Sequence, residues 1–189
     1  MGKITSVSLP AGITCRADCE CNKVCYAKKI SRLRRTVREA YETNFKLLRD
    51  NPEIFWREVE ASIMMSRFFR FHVSGDIPDK DYLLNMIAVA QRNQHCKILC
   101  FTKKYEIVNS VVESGVKIPK NLHLLFSAWR GLPMNNPYHF PEAHVRYKDK
   151  STTAMADAKE CEGNCSDCAI TGSGCWTLKN GEQVIFNEH

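Results

Sequence analysis

Phe68-Phe69-Arg70-Phe71-His72-Val73-Ser74-Gly75-Asp76-Ile77-Pro78 is the stretch on which the fold turns. Six aromatic, β-branched and alternating residues end abruptly in Ser-Gly-Asp and then a proline, which predicts a strand stopped by a tight turn. A helix opening at Asp79 or Lys80 follows, with Leu83, Leu84, Ile87 and Ala88 at helical spacing. The same strand-then-helix order recurs. Residues 4–9 form a short strand closed by Pro10-Ala11-Gly12. Residues 96–102 and 121–128 are apolar runs of strand length, separated by a helix through Ile107, Val108, Val111 and Val112 that Gly115 closes. Leu33, Val37, Tyr41, Phe45 and Leu48 mark an amphipathic helix, and Asn51-Pro52-Glu53 opens another. Strands alternating with helices predict an α/β fold with a mainly parallel sheet. Four strands amount to about half of an eightfold βα barrel. The expected architecture is therefore a partial βα barrel over 1–130, with a lid-like loop and a Cys-rich extension over 131–189 packed on the same domain. Pro133, Pro137 and Pro141, with no clear period around them, mark 131–160 as a loop.

Ten cysteines in 189 residues are the compositional anomaly. The start, Met1-Gly2-Lys3-Ile4-Thr5-Ser6, has no apolar signal segment, and no run is long enough to span a bilayer. A reducing cytoplasm is the expected setting, and there clustered cysteines point to metal or redox chemistry rather than disulfides. Cys15, Cys19, Cys21 and Cys25 follow the first strand, and Cys161, Cys165, Cys168 and Cys175 lie near the end. Thiolates are soft ligands that select zinc or iron–sulfur clusters. Two compact groups of four are closer to cubane ligation than to paired zinc knuckles. One or two 4Fe-4S clusters are the expectation, with zinc as the alternative. Cys96 and Cys100 share one face of a strand and read as buried core thiols.

Ligands in parallel α/β folds sit beyond the carboxyl ends of the strands. The first thiol group, Ser74-Gly75-Asp76 and Thr102-Lys103-Lys104 all fall at that edge. His72, Ser74 and Asp76 alternate and would share one side. His72 is a candidate proton carrier or a satisfied core histidine, and Asp76 either binds a cationic group or caps a helix. Lys103 and Lys104 read as surface lysines more readily than as ligand contacts. Lys28, Lys29, Arg32, Arg34, Arg35 and Arg38 form a basic run over 28–38. Such a run is commonly a solvated face, and nucleic-acid contact is the functional alternative.

Cys21-x3-Cys25-Tyr26, followed some fifty residues later by Ser74-Gly75-Asp76-Ile77-Pro78, resembles the front half of a radical S-adenosylmethionine enzyme. The resemblance implies a cluster loop after the first strand, and a turn at Ser74, Gly75 and Asp76 that holds the amino group of the cofactor. Lys28 stands where that superfamily has its third cysteine, so Cys15 or Cys19 would have to supply it. A closer resemblance is to the mycobacteriophage gene-product eighty-eight-like family. It rests on Ser8-Leu9-Pro10-Ala11-Gly12 with Thr14-Cys15, Cys25-Tyr26-Ala27, Phe69-Arg70-Phe71-His72-x-Ser74-Gly75-Asp76, the Thr102-Lys103 strand end, Asn121-Leu122 leading to Ser127, and the cysteine run ending Cys175-Trp176 ahead of His189. It implies a phage origin, a truncated radical-SAM-like barrel and iron–sulfur binding in an infected host cell. Three readings follow. The first is an iron–sulfur protein, a redox or reductive enzyme served by an electron-donor protein. The second is a zinc-stapled module for nucleic acid or protein, and the third a true S-adenosylmethionine radical enzyme. None of them involves a membrane.

Overall fold

The computed structural model describes residues 4–188; Gly2 and the rest of the start, and His189, lie outside the described residues. The elements in chain order are β1 (Thr5–Val7), α1 (Tyr26–Leu33), α2 (Arg35–Asp50), α3 (Pro52–Met64), β2 (Phe68–Phe71), α4 (Lys80–Arg92), β3 (Lys97–Thr102), α5 (Tyr105–Glu113), β4 (Leu122–Ser127), β5 (Glu142–Arg146), β6 (Lys159–Glu160), α6 (Cys165–Thr171) and β7 (Gln183–Asn187). Among the described residues, one seven-stranded sheet runs β1-β2-β3-β4-β5-β7-β6, with every neighbouring pair parallel.

The four-stranded partial barrel is therefore corrected to a seven-stranded parallel sheet with six α-helices. Three strands lie where a loop and an extension were expected. Pro133, Pro137 and Pro141 all precede β5, so none interrupts its ladder. β5 has five residues and β6 two, too short for a period to show in the sequence.

Both faces of the sheet are covered, which explains why β3 and β4 are nearly continuous apolar runs rather than alternating ones. On one face Phe69, Phe71, Ile98, Cys100, Leu124 and Phe126 pack against Phe55, Val59 and Ile63 of α3, Leu83 and Met86 of α4, and Val108 of α5. On the other, Leu99, Leu125, Ala143 and Val184 pack against Ala169 of α6, Trp176 and Leu178. Trp176 is 1% exposed and meets Phe68 edge-on at 5.3 Å. A fully buried aromatic of this size contributes about 3 kcal/mol, which makes it the main anchor of the C-terminal segment on that face.

The helix starts follow local chemistry. Asp79 caps α4 by accepting the Tyr82 N–H at 2.8 Å, and Asn164 caps α6 by accepting from Ser166 and Asp167. Pro52 sits in the first turn of α3, where its missing N–H costs nothing. α2 buries no residue completely; Val37, Tyr41, Asn44, Phe45, Leu47 and Leu48 are half-buried and the rest of the helix faces solvent. No helix among the described residues is long and apolar enough to cross a membrane.

Candidate functional site

The carboxyl ends of β1, β2 and β3 are tied together through one residue, Asp76. Asp76 is buried, and its Oδ1 accepts from the Thr102 hydroxyl at 2.6 Å and the Ile77 N–H at 2.7 Å. Its Oδ2 accepts from the Lys103 N–H at 2.9 Å, while its own N–H donates to Thr14 Oγ1 at 3.0 Å. Burial raises its pKa, and the hydrogen bonds from Thr102, Lys103 and Ile77 oppose that rise. Both oxygens that the resemblance assigns to an amino group are thus engaged inside the chain. Gly75 has φ +85°, and a Cβ there would stand 2.7 Å from Thr14 Oγ1 and 2.8 Å from the Leu9 carbonyl oxygen. The turn therefore requires glycine. Ser74 is buried, its carbonyl accepts from Leu9 N–H at 2.9 Å, and its Oγ has no hydrogen-bond partner.

His72 does not continue the alternation of β2, yet it meets Cys100 while Asp76 meets Thr102, two residues of one face of β3. β2 ends at Phe71, and His72 takes φ +61°, a left-handed conformation that breaks the alternation. The ring lies in the core, with Nε2 at 3.1 Å from Tyr82 Oη and Nδ1 at 3.8 Å from Cys100 Sγ. Desolvation, with the Arg70 charge adding to it, pushes its pKa down to about 3, so the imidazole is neutral.

Cys15, Cys19 and Cys21 of the first thiol group all feel the charge of Lys103. Cys19 and Cys21 share a side-chain hydrogen bond; that bond pulls the Cys19 pKa down to about 6, with Lys103 assisting, and pushes Cys21 up. Burial pushes the Cys15 thiol up. The Lys103 ammonium donates to Ser127 Oγ at 2.9 Å and stands 5.9 Å from the centroid of the Trp129 ring. Lys103 thus bears on the site more than a surface lysine would; the sequence places Thr102 at this edge without a role, and Thr14 enters only through the family resemblance. Beyond Trp129, a cavity of about 400 Å³ is lined by Arg130, Leu132, Met134, His144 and Thr153.

The second thiol group lies on the other covered face of the sheet. Cys161, Cys165, Cys168 and Cys175 line a cavity of about 220 Å³ beside Trp176. Burial raises Cys161 and pushes Cys175 up to about 12. Cys161 Sγ accepts from the Gly163 N–H at 3.4 Å, and Cys165 Sγ accepts from Arg70 Nη1 at 3.5 Å. Cys96 and Cys100 are fully buried, and desolvation raises both.

These arrangements overturn the metal reading. A thiolate centre needs deprotonated sulfurs that converge on one point. Among the described residues, no group of three or more His, Cys, Asp or Glu side chains is placed to hold a metal ion. Burial raises the thiols of Cys15, Cys161 and Cys175, and Cys19 and Cys21 share a hydrogen bond, all of them free cysteines. The assignment of Cys15, Cys19, Cys21, Cys25, Cys161, Cys165, Cys168 and Cys175 to iron–sulfur clusters is corrected on that ground, and so is the zinc alternative. The redox and electron-transfer role falls with the cluster that would carry it. The S-adenosylmethionine reading falls as well, since radical cleavage of that cofactor draws its electron from the same cluster.

The basic run occupies α1 and the start of α2. Lys29, Arg32, Arg34, Arg35 and Arg38 are exposed, and Lys28 is half-buried with its ammonium donating to the Asn22 carbonyl at 3.5 Å. Arg35 pairs with Glu39 at 2.5 Å and Arg38 reaches Glu42 at 3.9 Å, whereas Lys29, Arg32 and Arg34 have no acidic partner among the described residues.

No curated protein and no solved structure matches this chain. Residues 2–163 match the profile of the gene product 88 family, and the chain belongs to that family of phage proteins.

Proposed function

We propose that the protein binds nucleic acid through the α1–α2 face, without a metal, in the cytoplasm of the infected host cell. One observation carries the reading. Residues 21–38 hold Lys23, Lys28, Lys29, Arg32, Arg34, Arg35 and Arg38 and no Asp or Glu. The remaining chain has 20 of the 27 Lys and Arg against all 21 Asp and Glu, so the whole positive excess of the protein lies in this one segment. Two helices carry five of those seven residues and Arg34 joins the two; all seven but Lys28 are exposed. Charge placed this way attracts phosphates by releasing their counterions, which is the sequence-independent part of nucleic-acid affinity.

The test is a binding titration of a labelled oligonucleotide at rising salt. About five phosphate contacts would give a slope of log K against log salt near −4. Replacing Lys29, Arg32 and Arg34 together by alanine should weaken binding at least tenfold and flatten the slope by about 2 to 3. Replacing Lys117 and Lys120, exposed cations elsewhere, should leave both unchanged. Binding that is weak at low salt, or that ignores the triple substitution, refutes the proposal.

A further inference from the structure

We infer that the nucleic acid held on this face is single-stranded, its unstacked bases covering an apolar stripe that α1 turns to solvent; the inference rests on the nucleic-acid reading above. Tyr26, Ile30 and Leu33 stand at i, i+4 and i+7 of α1, the spacing that normally faces a core. Here they face out, 39%, 39% and 74% exposed, while the helix buries only Ala27. Val24, just before the helix, is 52% exposed. Single exposed apolar residues are ordinary, but three on one helix row, with Val24 just ahead of them, are a patch, and patches of this kind mark contacts.

The charge around the stripe selects its occupant. Lys29 and Arg32 form the adjoining i, i+3 row on the same helix, and Lys23 and Arg34 flank its two ends. A double helix would satisfy these cations but would offer only phosphates and stacked edges, leaving the apolar side chains in water. A single strand offers both parts at once, phosphates for the ammonium and guanidinium groups and flat base faces for Ile30, Leu33 and the Tyr26 ring. The Tyr26 hydroxyl donates to the Val73 carbonyl at 2.6 Å, which fixes one edge of that ring against the end of β2.

The experiment compares an unstructured oligothymidine of about 12 nucleotides with a blunt duplex of the same length, since site sizes for such proteins run from about 4 to 16 nucleotides. Anisotropy titrations at several salt concentrations should show the single strand bound at least tenfold more tightly. The Ile30→Ser, Leu33→Ser double variant should lose about tenfold for the single strand, keep its salt slope and keep its duplex affinity. Both positions are exposed, so the fold is retained, and circular dichroism checks it. Equal affinity for strand and duplex overturns the inference while leaving the nucleic-acid reading standing. So does a double variant that binds the single strand like the parent. Sedimentation then shows whether a second copy covers the stripe, by loss of self-association in the double variant. If neither oligonucleotide binds at low salt, the nucleic-acid reading itself falls.

Discussion

Replacing His72 by asparagine should remove a specific part of the pH dependence of stability. Asparagine is chosen because it tolerates the left-handed backbone at φ +61° better than other non-glycine residues, and it does not titrate. In the folded protein the imidazole sits between Tyr82, Cys100 and Phe71, with a pKa pushed down to about 3 from the ordinary 6.5. The folded value is depressed, so His72 favours the fold fully above about pH 6.5. That contribution is lost as the pH falls toward 3, because the unfolded chain takes up a proton that the fold refuses. Between pH 7 and pH 5 the unfolded state binds nearly one proton and the folded state almost none, which amounts to about 2 kcal/mol. Urea unfolding followed by circular dichroism at the two pH values gives the quantity directly. The parent should lose about 2 kcal/mol more than the variant across that interval. The raised pKa of Asp76 works in the opposite sense, favouring the fold as the pH falls, but it is present in both proteins and drops out of the difference. Parallel losses in parent and variant would refute the reasoning and return His72 to the role of an accessible proton carrier.

The two glycines with the closest neighbours should respond unequally. Gly75→Ala places a Cβ against the Leu9 backbone and Thr14 and should cost more than about 3 kcal/mol, whereas Gly12→Ala meets only the movable end of Lys28 and should cost about 1 to 2 kcal/mol. Equal losses on urea unfolding would mean that the close approach beneath the Ser74-Gly75-Asp76 turn is not rigid. For the thiols, ultraviolet titration of thiolate absorbance should show a first step near pH 6, from Cys19. Cys21→Ala should move that step back toward about 8.5, the ordinary thiol value; an unmoved step would exclude the Cys19–Cys21 hydrogen bond as its cause.

Strands near 68–73, 96–102 and 121–128 were readable because both faces of a buried parallel strand are apolar and the turns after them carry glycine, proline or charge. β5, β6 and β7 were not, since five residues or fewer carry no measurable period and three prolines drew attention away from them. His72 shows a second limit. Alternation predicts a face only while the backbone stays extended, and one left-handed residue after Phe71 sends the next side chains elsewhere. The cysteines show a third. Spacing along the chain shows that four sulfurs could meet, but torsion angles decide whether they do, and among the described residues no three of them are placed to hold a metal. The hub role of Asp76 was half legible. Its place at the strand edge followed from topology, while its partners Thr14 and Thr102 lie 62 and 26 positions away and left no local signal. The basic run was plain in the sequence, but its helix placement and exposed apolar row needed the fold.

β7 follows β6 in the chain yet lies between β5 and β6 in the sheet. As the chain leaves the ribosome, Lys159 and Glu160 therefore emerge with no strand beside them. They are held only when Gln183–Asn187 slides into the gap, pairing with β5 on one side and β6 on the other. β5 has β4 as a partner of its own, whereas β6 touches the sheet through β7 alone among the described residues. Until β7 is in place, Val184 is missing from the second apolar face, and a chain caught at that stage exposes apolar surface and an unpaired strand edge, the features that favour aggregation.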